Sequence, residues 1–155
     1  MATTVNISTL TVTITETLAL STDASGTTDD VTFSQTNNHI INTSILNASK
    51  RIVELESTAL TTVLTFHDSL NAGGQFKRAD VKYIRITNLD DSAVLKVGLV
   101  GDSSGAYQSL AANTSMIFTG TQIEIGAAFT SFANADSIKV VGAAQQQLEI
   151  MVATT

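Results

Sequence analysis

Apolar and polar residues alternate along most of this chain with a period of two, the spacing of a β-strand that buries one face. Val5 and Ile7 share one parity, and Leu10, Val12 and Ile14 share the other. The switch near Ser8 and Thr9 predicts a bulge or a break between two strands. Thr at 9, 11, 13, 15 and 17 gives one threonine-lined face. Residues 21–30 are small and polar and read as a loop, followed by short strands at 31–34 and 38–46.

Residues 48–60 fit a helical turn about as well as a strand, because Ile52, Val53, Leu55 and Leu60 suit either period. The strand is favoured, since Leu60 to Phe66 continues as β. A turn is expected at 71–74. A β-hairpin is expected over 81–100, with its corner at Asn88 to Ser92, and a second tight corner at 101–105. Further strands are predicted at 107–110, 115–119, 122–125, 137–141 and 146–152. In the last, Leu148, Ile150 and Val152 point inward while Glu149 and Met151 point away. Residues 126–136 are irregular, anchored by Phe129 and Phe132.

Strands spaced by turn signals every ~8–12 residues, without crossover helices, predict an all-β fold. The expected form is an antiparallel β-sandwich, jelly-roll-like, with an extended N-terminal segment. Residues 1–47 form strands or an arm directed at a neighbouring subunit. Residues 48–155 form the sandwich core, and the whole is one domain.

Composition narrows the function. Hydrophobic residues are 43% and charged residues only 14%, which favours a folded chain over a disordered one. There is no Cys, which removes thiolate metal sites, disulfides and thiol redox chemistry. There is no Pro to blunt exposed sheet edges, so edges are expected to be covered by loops or by other copies. A net charge of −6 argues against a nucleic-acid partner, where cationic side chains supply most of the affinity. No apolar run is long enough to span a bilayer, and the N-terminus does not read as a signal peptide. The Asn-x-Ser triplets at 6, 42, 47 and 113 read as chance products of an Asn/Ser/Thr-rich chain.

No residue set reads as catalytic, cofactor-binding or metal-binding. His67 and Asp68 are strand neighbours and point to opposite faces, so they do not form a base with its orienting acid. His39 is isolated. The pairs Asp29-Asp30 and Asp90-Asp91 lack the ligand spacing of a calcium loop and read as turn caps. The glycine-bearing corners 71–74 and 101–105 lack the Lys and the strand–loop–helix setting of a phosphate loop. Lys77, Arg78, Lys82 and Arg85 form the one basic cluster; Lys82 and Arg85 fall on opposite faces. Contact with a neighbouring subunit is expected at Asp29, Asp30, Lys77, Arg78, Phe129 and Phe132. The N-terminal strand and the segments 71–78 and 126–136 are the expected contact regions.

Tyr83-Ile-Arg-Ile-Thr-Asn-Leu-Asp90, a short apolar strand, a Gly/Ser corner, and Ser109-Leu-Ala-Ala-Asn-Thr-Ser-Met-Ile-Phe118 together resemble small virion proteins of tailed bacteriophages. The likeness is strongest to those of phages with marine or cyanobacterial hosts and covers roughly residues 50–125. It implies a jelly-roll or related sandwich acting as a homo-oligomer, with a trimer favoured. It further implies capsid decoration as the role, the major capsid protein or other virion proteins as partners, and the virion, assembled in the host cytoplasm, as the location. A neck or tail adaptor, or a fibre-attachment protein, is the alternative within that class. A carbohydrate-binding sandwich is the alternative outside it, disfavoured by 5% aromatics and no Trp.

Overall fold

The computed structural model describes residues 8–20, 31–69, 75–101, 105–119 and 135–155. Its strands are β1 (Ser8–Leu20), β2 (Val31–Ile45), β3 (Asn47–Glu54), β4 (Thr61–His67), β5 (Phe76–Lys77), β6 (Val81–Asn88), β7 (Leu95–Val100), β8 (Gly105–Leu110), β9 (Ser115–Thr119), β10 (Ser137–Val141) and β11 (Gln147–Thr154). One 3-10 turn, Arg78–Asp80, joins β5 to β6, and no α-helix occurs among the described residues. The fold is all-β, with three sheets: β1-β2, β5-β4-β10-β7-β8 and β3-β11-β6-β9. Every pairing is antiparallel except the short β4-β5 pair.

The larger two sheets face each other across one core. Leu64 and Phe66 of β4, Leu95, Val97 and Leu99 of β7, and Ile138 and Val140 of β10 come from one side. Ile84 and Ile86 of β6 and Leu148, Ile150 and Val152 of β11 come from the other. The alternation expected for the last strand is therefore present, with Glu149 and Met151 on the outer face. Full burial of each aliphatic side chain contributes about 1.5–3 kcal/mol, which outweighs the small β-propensity differences between sequences.

Three features differ from the sequence expectation. Residues 31–34 and 38–46 are parts of one strand, β2, paired with β1 from Leu20↔Val31 onward. Polar Gln35 to Asn37 suggest an interruption, but both faces of this ribbon meet solvent there, so polar side chains do not break it. The ladder is held instead by backbone pairing and by cross-strand bonds such as Thr13 Oγ1 to Asn38 Oδ1 at 2.7 Å. The parity switch near Ser8 does coincide with register shifts between Ser8, Leu10 and Thr11.

Second, residues 81–100 are not a hairpin. β6 and β7 lie in different sheets, so the Asn88–Ser92 corner is an arch across the sandwich. Both strands carry one buried face, and each buries it against the opposite layer. Third, the ambiguous segment is strand as far as Glu54 and then bends, and Leu55 is buried. The expected loop 21–30, the turn 71–74 and the strand 122–125 lie outside the described residues.

Between Ile138 and Lys139 the β10–β4 register slips by one residue. That bulge lets adjacent Val63 and Leu64 both face the core. It also frees the Val63 carbonyl, which accepts from Arg51 Nη2 of β3. Arg51 thus ties the edge of one sheet to the other.

Candidate assembly surfaces

Four chain crossings between the two sheets gather at one end of the sandwich: 54–61, 88–95, 110–115 and 141–147. Two amides hold them together. Asn88 Nδ2 donates to the carbonyls of Ala93 (2.8 Å), Leu110 (3.2 Å) and Ala111 (3.2 Å). Its Oδ1 accepts from Asp90 N at 3.2 Å and from Gln146 Nε2 at 3.0 Å. Gln146 Oε1 accepts from Ala143 N at 2.9 Å, and its main chain bonds Leu55. Asn88 is 0% and Gln146 1% exposed, so every polar atom there needs a protein partner. A Cβ at Gly142 would overlap Gln146 Oε1 and lie 2.9 Å from Leu55 Cδ1, which leaves room for glycine alone. Asp90 caps the arch by accepting from Ala93 N (2.7 Å) and Ser92 N (2.9 Å). Those bonds, Ala93 first, hold its carboxyl below the usual range.

Arg78 organises the opposite end. Its Nη1 donates to Asp68 at 2.7 Å, its Nη2 to Asp136 at 2.5 Å and its Nε to the Ala135 carbonyl at 2.6 Å. The guanidinium therefore anchors the segments around 68 and 136 to its own 3-10 turn. Lys77 forms a 3.4 Å ion pair with Asp80. Asp68 turns to Arg78, and His67 ends β4 opposite Lys77, so His67-Asp68 is a strand terminus. Lys82 Nζ donates to the Ala79 carbonyl at 2.7 Å. Asp29, Asp30, Phe129 and Phe132 lie outside the described residues.

On the outer face of the four-stranded sheet, Glu149 accepts from Lys50 and from Arg85 Nη2, each at 2.7 Å. The bond from Lys50 is the largest influence on the Glu149 carboxyl; burial opposes it, and Arg85 adds to Lys50 to hold the group below its ordinary value. Beside this trio the base of the β1-β2 ribbon is seated. Leu10, Val12 and Ile45 pack on Tyr83, Met151 and Ala153. Burial there pushes the Tyr83 phenol up, with Arg85 opposing.

Beyond Val12 the ribbon leaves that seat. Thr13 to Glu16 are all exposed, as are Ser34 to Ile40 except half-buried Asn37. Ile40 is 66% exposed. Thirteen residues of strand reach about 43 Å at ~3.3 Å per residue, so the arm outruns its anchorage. His39 sits on this arm, exposed and opposite Val12.

The outer face of the five-stranded sheet carries a feature with no mark in the sequence. Tyr107 of β8 stands opposite Gly98 of β7, and its ring covers the space a Gly98 Cβ would take. Tyr107 as a whole remains 53% exposed. Only the register reveals this seat, because nothing in the sequence marks Gly98 as the partner of Tyr107. Among the described residues no three His, Asp or Glu side chains gather as metal ligands, and no helix is long and apolar enough to cross a membrane. Comparison with protein-family models, with curated proteins and with solved structures finds no match to this chain.

Proposed function

We propose that this chain is a non-enzymatic structural protein of a tailed-bacteriophage virion. In this reading it is a homo-oligomer, with a trimer favoured, that decorates the capsid and cements neighbouring shell subunits. It assembles in the host cytoplasm and acts in the virion. The observation that carries the reading is the β1-β2 ribbon, whose described side chains beyond its seated base are exposed apart from half-buried Asn37. A two-stranded ribbon is marginal in water by itself, so an arm of this length gains its stability from a surface it lies on. Shell junctions supply such surfaces, and an interface of about 1,600 Å² is enough for a specific contact.

The strand order supports a jelly roll as the scaffold. With β5 set aside, the eight core strands pair first with eighth, second with seventh, third with sixth and fourth with fifth: β3-β11, β4-β10, β6-β9 and β7-β8. This is the order of a long antiparallel hairpin rolled into two four-stranded layers, an architecture found in viral capsid domains. The polar side chains gathered at the two ends of the sandwich hold loops: Arg78 and Asp136 at one end, Asn88 and Gln146 at the other.

The test is the mass of the purified protein in solution, alone and with assembled phage shells. A closed oligomer that sediments with shells supports the reading. A stable monomer that ignores shells and tails overturns it.

A further inference from the structure

We propose that the outer face of the five-stranded sheet, at Lys96, Lys139 and Tyr107 beside the outermost described strand, β8, receives the β1-β2 arm of a second copy of this chain. The inference rests on the assembly reading above and names the surface that assembly uses.

Charge is the first argument. Residues 1–47 contain Glu16, Asp23, Asp29 and Asp30 and no Lys or Arg, so this third of the chain carries −4 of the net −6. All eight basic residues fall between 50 and 139. Lys50 and Arg85 pair with Glu149, Lys77 with Asp80 and Arg78 with Asp68 and Asp136. Arg51 and Lys82 are held by carbonyls. Of the eight Lys and Arg side chains, only Lys96 and Lys139 have no hydrogen bond or ion pair among the described residues.

Those two are neighbours. Lys139 pairs with Gly98 and Val141 with Lys96, so the lysines sit diagonally on adjacent strands, about 7–8 Å apart. Both point away from the core, since their flanking residues Leu95, Val97, Ile138 and Val140 are buried. Tyr107 lies in the same row, through Gly98. The result is two unopposed cations beside an exposed aromatic ring, on a chain that is otherwise acidic.

The edge is the second argument. Among the described residues β8, Gly105–Leu110, is the last strand of the five-stranded sheet; it has no charge and no proline, and every residue but Leu110 is exposed. Unblunted edges of this kind accept a further strand through main-chain hydrogen bonds. The arm brings the matching element, with no third strand on either edge among the described residues and one carboxylate, Glu16, on β1. A strand added to β8 would lie about 10 Å from β7, within joint reach of an extended Glu and an extended Lys. The chain's own arm is seated on the opposite layer, against Tyr83 and Ala153, so the occupant comes from another copy.

The test is sedimentation of the full chain over a concentration series at ~0.1 M salt. Wild type is compared with K96E/K139E, Y107A, E16K, and E16K combined with K96E/K139E. The substituted side chains are on the surface, and thermal melting checks that each variant folds. Loss of rim charge pairs predicts that K96E/K139E and E16K each weaken association about tenfold, and that their combination restores most of it. Raised salt weakens wild type in the same direction. An oligomeric wild type whose association is unmoved by K96E/K139E and Y107A overturns this docking site and leaves the assembly reading standing. A wild type that stays monomeric throughout overturns the assembly reading and the docking site with it.

Discussion

Replacing Asn88 tests whether the two buried amides hold the crossing loops together. The side chain makes five hydrogen bonds, three as donor and two as acceptor. In Asn88→Ala two of the five matter little. The Ala93 carbonyl keeps Gln146 Nε2 at 3.2 Å, and the Ala111 carbonyl keeps Thr114 Oγ1 at 2.7 Å. The other three leave the buried Leu110 and Gln146 and the N–H of half-buried Asp90 each one bond poorer. At about 1 kcal/mol net per bond, the loss is about 3 kcal/mol. For a chain of this length that lowers Tm by roughly 6–12 °C.

Asn88→Asp keeps the shape and separates hydrogen bonding from packing. It turns the Nδ2 donor into an oxygen facing three carbonyls. Burial and those carbonyls disfavour the charged form, so the folded pKa of the new carboxyl rises above its unfolded value of about 3.9. Its penalty relative to wild type is then smallest below that value. It grows by about 1.4 kcal/mol per pH unit as pH rises towards the folded pKa. Asn88→Ala adds no titrating group, so its deficit stays level with pH. Urea unfolding of all three proteins at matched concentration, at pH 4 and pH 7, reads both effects. An Asn88→Ala deficit under ~1 kcal/mol, or an Asn88→Asp protein as stable as wild type at pH 7, refutes the argument.

Gly98→Ala should lower stability in wild type, because its Cβ displaces the Tyr107 ring. In a Tyr107→Ala background the same change should be neutral or stabilising by about 0.5–1 kcal/mol, since Ala suits strand better than Gly; a double-mutant cycle by urea unfolding measures the sign change. Arg78→Ala should cost roughly 2–4 kcal/mol, by removing the guanidinium bonds to Asp136, Asp68 and the Ala135 carbonyl, and Arg78→Lys should recover less than half, because a point charge cannot serve three acceptors as the fork does. Thermal melts of the three proteins check that ranking. The Glu149 carboxyl is depressed in the folded state, so its contribution is full above its ordinary value of 4.5 and is lost as pH falls through the lower folded value. Glu149→Gln should therefore lose less stability than wild type between pH 6 and pH 3, as read by urea midpoints.

Strand identity was legible because it is local. The inward set Leu148, Ile150 and Val152 follows from alternation alone, and each is buried. Pairing was not legible, because it depends on distant segments. Gln147 to Thr154 runs against Asn47 to Glu54, almost a hundred residues earlier, and no signal within either strand names the other. The basic residues illustrate the same divide. Their parity could be read, but the attachment of Arg78 to Asp68 and Asp136 depends on two loops meeting at one end of the sandwich. Tyr107 was passed over for a like reason, since its seat is a glycine on another strand.

The Asn88–Ser92 corner shows how one local signal serves two topologies. A polar, Asp-rich corner between two apolar strands satisfies both a hairpin and an arch, because in each the side chains cap the turning backbone. Asp90 does so through Ala93 and Ser92. What separates the two outcomes is Asn88. In a hairpin its side chain would meet solvent or the partner strand. Here it is buried at the point where the chain leaves one layer, and its amide reaches carbonyls of the crossings at 93 and 110–111, while Gln146 comes from a third crossing. A single buried amide that bonds several separate loops specifies an arch, since only crossings between layers bring those loops to one end. If the corner instead needed only its local cap, Asp90→Asn would disturb the fold more than Asn88→Ala. The opposite ranking in urea unfolding is expected, because Asp90 is only half-buried, so water can replace its bonds, and Asn88 is fully buried.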